Sequence, residues 1–232
     1  MKNKLLLAMA LASVSISNAS AVDLNITFTN LTHGSHFTPL LFSAHDSDQH
    51  IFQISTTASQ SLQAMAEGGN ISGLAADLSA VNADITENPA AGLTAPGQSV
   101  SFNMTTQSTN TNLSVAAMVL PTNDGFVGLD SLVIPGDAGT YTFYLNAYDA
   151  GTEANDEIVN GGGAPGTPGI PADPLGQNGS SATGLANTEN NSNVHIHRGV
   201  IGDTDATGGA SDLDSRVHRW LNPVARLIIE VK

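Results

Sequence analysis

Residues 117–157 read AMVLPTNDGFVGLDSLVIPGDAGTYTFYLNAYDAGTEANDE. Runs of Val, Leu, Ile, Phe, Tyr and Thr alternate here with PTNDG and PGDAG. The first group of residues fits a pleated, half-buried surface, and the second supplies tight turns. The stretch therefore predicts antiparallel strands over 112–120, 126–134 and 140–148, the last two paired with each other. Acids gather where these strands end. NDGFVGLDS carries Asp124 and Asp130, and YDAGTEANDE carries Asp149, Glu153, Asp156 and Glu157. No Lys or Arg lies anywhere in the 41-residue stretch to neutralise them.

Outward from this stretch the β pattern continues. VDLNITFTN (22–30) alternates apolar and polar side chains, and 38–45 and 50–54 read as further extended pieces. SVSFNMTT (99–106) and NLSVAAMVL (112–120) are expected to form an antiparallel pair, and VARLIIEV (224–231) a last strand. TASQSLQAMAE (57–67) holds helix formers stopped by Gly68-Gly69, and 70–81 reads as a second helix with Asn70 as its N-cap. Residues 160–193 are dominated by Gly, Pro, Ser and Asn and predict a flexible surface loop. There is no internal repeat. These features predict an all-β, antiparallel β-sandwich with short inserted helices and one long Gly/Pro-rich loop.

The N-terminus carries Lys2 and Lys4, an apolar run over 5–12, and Ala19-Ser20-Ala21 at a small-x-small position. That three-part pattern predicts a signal peptide over 1–21, with one exported domain over 22–232, periplasmic or extracellular. The apolar run is too short to span a bilayer, so no membrane insertion is expected. The chain has no cysteine, which rules out a disulfide framework. All 21 acids lie after residue 21, against five basic residues, and those five begin at Arg198. So acidic a chain repels nucleic acid and attracts cations or basic partners.

A hard cation such as calcium takes six to eight oxygens, from carboxylates, backbone carbonyls and water. Pairing of the strands at 126–134 and 140–148 would bring Asp124, Asp149 and Glu153 to one edge, with Gly125 and Gly151 allowing tight turns. Asp130 ranks below these three, as a ligand or a turn cap. The spacing is not that of the helix-loop-helix calcium motif, and Asx turns with exposed acids remain the alternative reading. A second chemistry is open at VHIHRG. His195 and His197 would share one strand face and could ligate zinc or copper with His33, His36 or His218, as a periplasmic metal-binding protein or metalloenzyme would. The acids of 202–216 (Asp203, Asp205, Asp212, Asp214) read as solvated loop residues. There is no Gly-x-Ser-x-Gly elbow and no phosphate-binding loop.

NDGFVGLDSL, then AYDAGTE, then NPVARLIIEV, in that order, resemble the spondin N-terminal domain family of F-spondin, mindin and many bacterial exported proteins. NLTHGSHFTPLLFSAHD and AEGGN resemble the bacterial members in particular, and the resemblance spans essentially all of 22–232. It implies a calcium-binding antiparallel β-sandwich that serves adhesion without catalysis, with an unidentified protein or glycan at the cell surface or matrix as partner. By that resemblance Asp124 matches the aspartate of the first motif. Asp149 and Glu153 match the first and last acids of the second, where Glu153 replaces the Asp usual in animal members.

Overall fold

The structure is a computed structural model that describes residues 21–176, 179–185 and 190–232. The expected signal peptide lies, but for Ala21, outside the described residues. The strands are β1 (Val22–Asn30), β2 (His36–Phe37), β3 (Leu41–His45), β4 (Asp84–Glu87), β5 (Ser99–Thr106), β6 (Asn112–Leu120), β7 (Gly125–Val133), β8 (Gly139–Asp149), β9 (His195–Ile196) and β10 (Ala225–Val231). Two helices, α1 (Gln60–Gly68) and α2 (Ser72–Ala80), are inserted between β3 and β4. The molecule is thus mostly β and antiparallel, as its sequence implies. The strands follow one continuous path, β4-β3-β6-β7-β8-β10-β1-β5, with β2 added on β6 and β9 on β8. The sheet coils until its end strands β4 and β5 touch. Asp84 of β4 fastens that seam by accepting bonds from the Gln107 N–H (2.7 Å) and the Asn110 amide (2.9 Å).

Alternation explains β1. Leu24, Ile26 and Phe28 are buried, while Asp23, Asn25 and Thr27 keep solvent contact. Phe28 meets Phe37 and Phe42 edge-on, with centroids 5.7 and 6.0 Å apart, and these rings anchor the interior core. β6 differs because both of its faces are covered. Leu113, Val115, Ala117 and Val119 join the interior core. Ala116, Met118 and Leu120 join a second core, against Leu62 and Met65 of α1 and Leu74 and Leu78 of α2. The helices exist to roof this outer face. Ser59 Oγ accepts the Leu62 N–H at 3.1 Å to start α1, and Gly69 ends it at φ 70°.

Several expectations need correction. β5 and β6 are not partners: β5 pairs with β1, and β6 pairs with β3 and β7. The connection between them passes over the ends of β4 and β3 instead of closing a hairpin. Within 38–45 only 41–45 is in the β3 ladder, and 50–54 forms no strand. The helix predicted from Asn70 begins at Ser72 with Ile71 as its N-cap; Asn70 Oδ1 accepts the Ser72 N–H from just outside, at 3.0 Å. The described part of 160–193 contains no helix or strand, but it is not without core contacts. Ile170 is fully buried, and the Gly166 N–H bonds Glu67 Oε2 at 2.7 Å.

Truncating Phe28 to Ala should cost about 3–5 kcal/mol, because it opens a cavity where three rings interlock. Denaturant unfolding of the two proteins, compared at equal m-value, measures this.

Candidate functional site

The β6–β7 turn and the end of β8 build one acidic edge. Thr122 Oγ1 donates to the Val119 carbonyl at 2.6 Å and accepts the Gly125 N–H at 3.0 Å, which tightens the turn. A Cβ on Gly125 would stand 2.7 Å from that hydroxyl oxygen, so the position needs glycine. Gly125 pairs in register with Asp149, and the Ala150 N–H bonds the Asp124 carbonyl at 3.2 Å. Two adjacent strands thus set Asp124 and Asp149 side by side, both buried. Beyond β8 the chain reverses through Gly151 at φ 70°. It then returns the N–H groups of Thr152 and Glu153 to Asp124 Oδ2, at 2.7 and 3.0 Å. Asp149 Oδ1 accepts the Gly151 N–H at 2.8 Å, and its Oδ2 accepts the Asn155 amide at 2.7 Å.

The set is incompletely satisfied. Asp124 Oδ1 and Glu153 Oε1 are buried without a hydrogen-bond partner among the described residues. A buried carboxylate oxygen left bare is costly, and it points to a missing proton or cation. Burial pushes the Asp124 carboxyl up to about 7, and the charge of Asp149 adds to the rise; the Thr152 and Glu153 N–H groups oppose it. Burial likewise raises Glu153 to about 7, with Glu67 and Asp124 contributing. Glu153 Oε2 takes weak bonds from the Asn123 amide (3.3 Å) and the Gly169 N–H (3.2 Å), and its Oε1 is the oxygen left over. Among the described residues no three His, Cys, Asp or Glu side chains already surround one point as a ready metal centre.

Asp130 stands apart from the cluster. It accepts from His50 Nδ1 and from the Ile51 N–H at 2.9 Å, and so holds the 50–52 segment onto β7. Asp156 and Glu157 also serve the scaffold. Asp156 accepts the Asn123 amide at 3.0 Å, while Glu157 takes the N–H groups of Ile201 and Gly202 and the hydroxyl of Ser211. His195 opens β9 and His197 follows just past its end, with Ile196 exposed between them. His195 Nε2 lies 3.8 Å from Asp149 Oδ2, so the second motif borders the acidic edge. His195 Nδ1 donates to the Asn193 carbonyl at 2.8 Å. His197 Nδ1 accepts the Gly199 N–H at 2.9 Å, and its ring packs on Trp220. Trp220 is buried, while its neighbour Leu221 is 81% exposed. Sequence reasoning missed the amides of Asn123 and Asn155, although each sits beside a quoted acid in NDG and EAND.

The Spondin_N family profile matches residues 27–160. The match contains Asp124, Asp149 and Glu153 and stops before the Gly/Pro-rich segment, β9 and β10. It is narrower than the whole-chain resemblance expected from the three motifs. No curated protein matches the chain.

A carboxyl whose native pKa exceeds its unfolded value holds its proton longer in the folded state. Its contribution to stability is complete below about pH 4 and is lost as pH rises to about 7. Cation-free protein should therefore lose thermal stability between these limits, and Asp124→Asn should flatten the decline. Unfolding midpoints measured in chelator across that range check it.

Proposed function

We propose, from the premise that the chain belongs to the Spondin_N family, that it is an exported, non-catalytic binding module whose acidic edge is tied together by one calcium ion. The family supports an extracellular-type domain, and among the described residues no helix is long and apolar enough to cross a membrane. The observation that carries the calcium reading is the bare, buried Asp124 Oδ1 next to Asp149. Hard carboxylate oxygens suit calcium far better than they suit a soft transition metal.

Asp124 and Asp149 would hold the ion, Glu153 would add its spare Oε1, and backbone carbonyls with water would complete the shell. A bound dication supplies the positive charge that two adjacent buried carboxylates otherwise lack. The chain's own part is positional. The Thr152 and Glu153 N–H groups fix one oxygen of Asp124 and leave the other bare, while Asn155 and Gly151 fix Asp149. The loops held in this way would present a surface to a protein or glycan of the cell surface or matrix. The rival reading, a transition-metal centre on His195 and His197, is disfavoured because His197 Nδ1 accepts the Gly199 N–H, which puts the neutral ring's proton on Nε2 and leaves that nitrogen no lone pair for a metal.

Calcium titrated into chelator-stripped protein at neutral pH should raise the unfolding midpoint. At a concentration about 100 times the dissociation constant the gain is about 2.7 kcal/mol. Asp149→Asn should abolish the shift and His195→Ala should keep it. An unchanged wild-type midpoint would remove calcium from the account, and a shift lost only on His195→Ala would favour the histidine centre.

A further inference from the structure

A second cluster lies away from the acidic edge, where the chain between β9 and β10 meets residues 173–176 and 179–180. Asp173 and His218 line a cavity of about 200 Å³ there, and both are almost completely buried, 4% and 2% exposed. His36 of β2 is buried close enough to feel the charges of both. His218 Nε2 stands 3.2 Å from Asp173 Oδ1. The approach is out of line for a hydrogen bond, and neither ring nitrogen of His218 has a hydrogen-bond partner among the described residues. His36 Nδ1 is bare in the same sense. Two buried imidazole nitrogens without partners on His218, and a third on nearby His36, require an explanation, because buried polar atoms are nearly always satisfied.

The 3.2 Å separation supplies one. Two ligands about 2.0–2.2 Å from a tetrahedral zinc-class ion stand roughly 3.3–3.6 Å from each other, only slightly farther than the observed pair and without being collinear with any proton between them. Imidazole nitrogen with one carboxylate is a borderline donor set that suits zinc, cobalt or copper rather than calcium. The cavity walls strengthen the argument. Asp203, Asp205, Asp212 and Asp214 line them, and among the described residues no Lys or Arg does. A cleft walled by one sign of charge concentrates the opposite ion. These aspartates are themselves engaged in the scaffold: Asp212 accepts from Val159 and Ser180, and Asp214 pairs with Arg216. They contribute the field, while the buried imidazoles contribute the donors.

We propose that His218 and Asp173 bind a zinc-class dication at the base of this cavity, with His36 as the third protein ligand and water in the open position. The three do not already surround one point, so binding must draw His36 onto the pre-set pair. The site is independent of the calcium edge and of the His195/His197 pair.

Cobalt(II) tests it, because its visible absorption reports coordination directly. The full chain, stripped with chelator and then held in excess calcium, should bind one equivalent of cobalt, which zinc displaces. His218→Ala and Asp173→Asn should each weaken cobalt binding by more than about ten-fold. His36→Gln should weaken it while the circular dichroism of the apo protein stays native. His195→Ala should leave it intact, and Asp149→Asn should remove the calcium response without touching the cobalt spectrum. Absence of saturable cobalt binding in the wild type, or binding unchanged in a folded His218→Ala or Asp173→Asn protein, would overturn the proposal. So would loss confined to His195→Ala.

Discussion

The register that sets Gly125 opposite Asp149 is the constraint from which this end of the molecule follows. Once β7 and β8 pair in that frame, the residue before Gly125 and the last residue of β8 must be neighbours. Both are aspartates, and both are buried. Like charges so close and so dry repel each other strongly. The fold answers with directed N–H groups from the 151–153 reversal and with the Asn155 amide, but it leaves Asp124 Oδ1 bare. An arrangement that satisfies three of four carboxylate oxygens and abandons the fourth is better suited to receive a charge than to rest without one.

The scaffold that holds this register is β6. Most strands here bury one face, whereas β6 is buried along its whole length. Its inward side chains pack with the three interlocked phenylalanines, and its outward ones pack beneath α1 and α2. The same strand therefore couples both cores and delivers the chain into the 121–124 turn. The ring cluster Phe52, Phe126 and Tyr148 lies just behind that turn. These rings belong to the outer core beneath the helices and fix β7 against β8 one residue in from the Gly125–Asp149 pair.

Strand existence was legible in the sequence, and strand partnership only in part. Period-two alternation located 22–30, because alternation is a local consequence of one buried face, and β-forming composition located 99–106 and 112–120. It does not say which neighbour a strand takes. β5 and β6 are separated by a short turn and look like a hairpin, yet the sheet's coiling places β4 and β3 between them. The composition of NLSVAAMVL already hinted at this: a run apolar on both faces belongs to the middle of a sheet under a roof. The acid site was legible to the extent that Asp124 and Asp149 lie at joined strand ends. Asp130 could have been set aside on distance alone, since six strand residues span about 20 Å. Ile170 was missed because a lone apolar residue among glycines and prolines carries no periodic signal. The Asp173–His218 pair was missed because it joins residues 45 apart across an irregular region.

The central claim, that Asp124 and Asp149 form a cation site, is tested most directly by a crystal structure of the chain grown with calcium or a lanthanide substitute, using the anomalous signal to locate the ion. The account predicts one peak on the acidic edge, roughly 2.3–2.6 Å from Asp124 Oδ1 and from a carboxylate oxygen of Asp149. An edge free of the ion at saturating concentration, with Asp124 Oδ1 still bare or bonded to a protein donor, would contradict it.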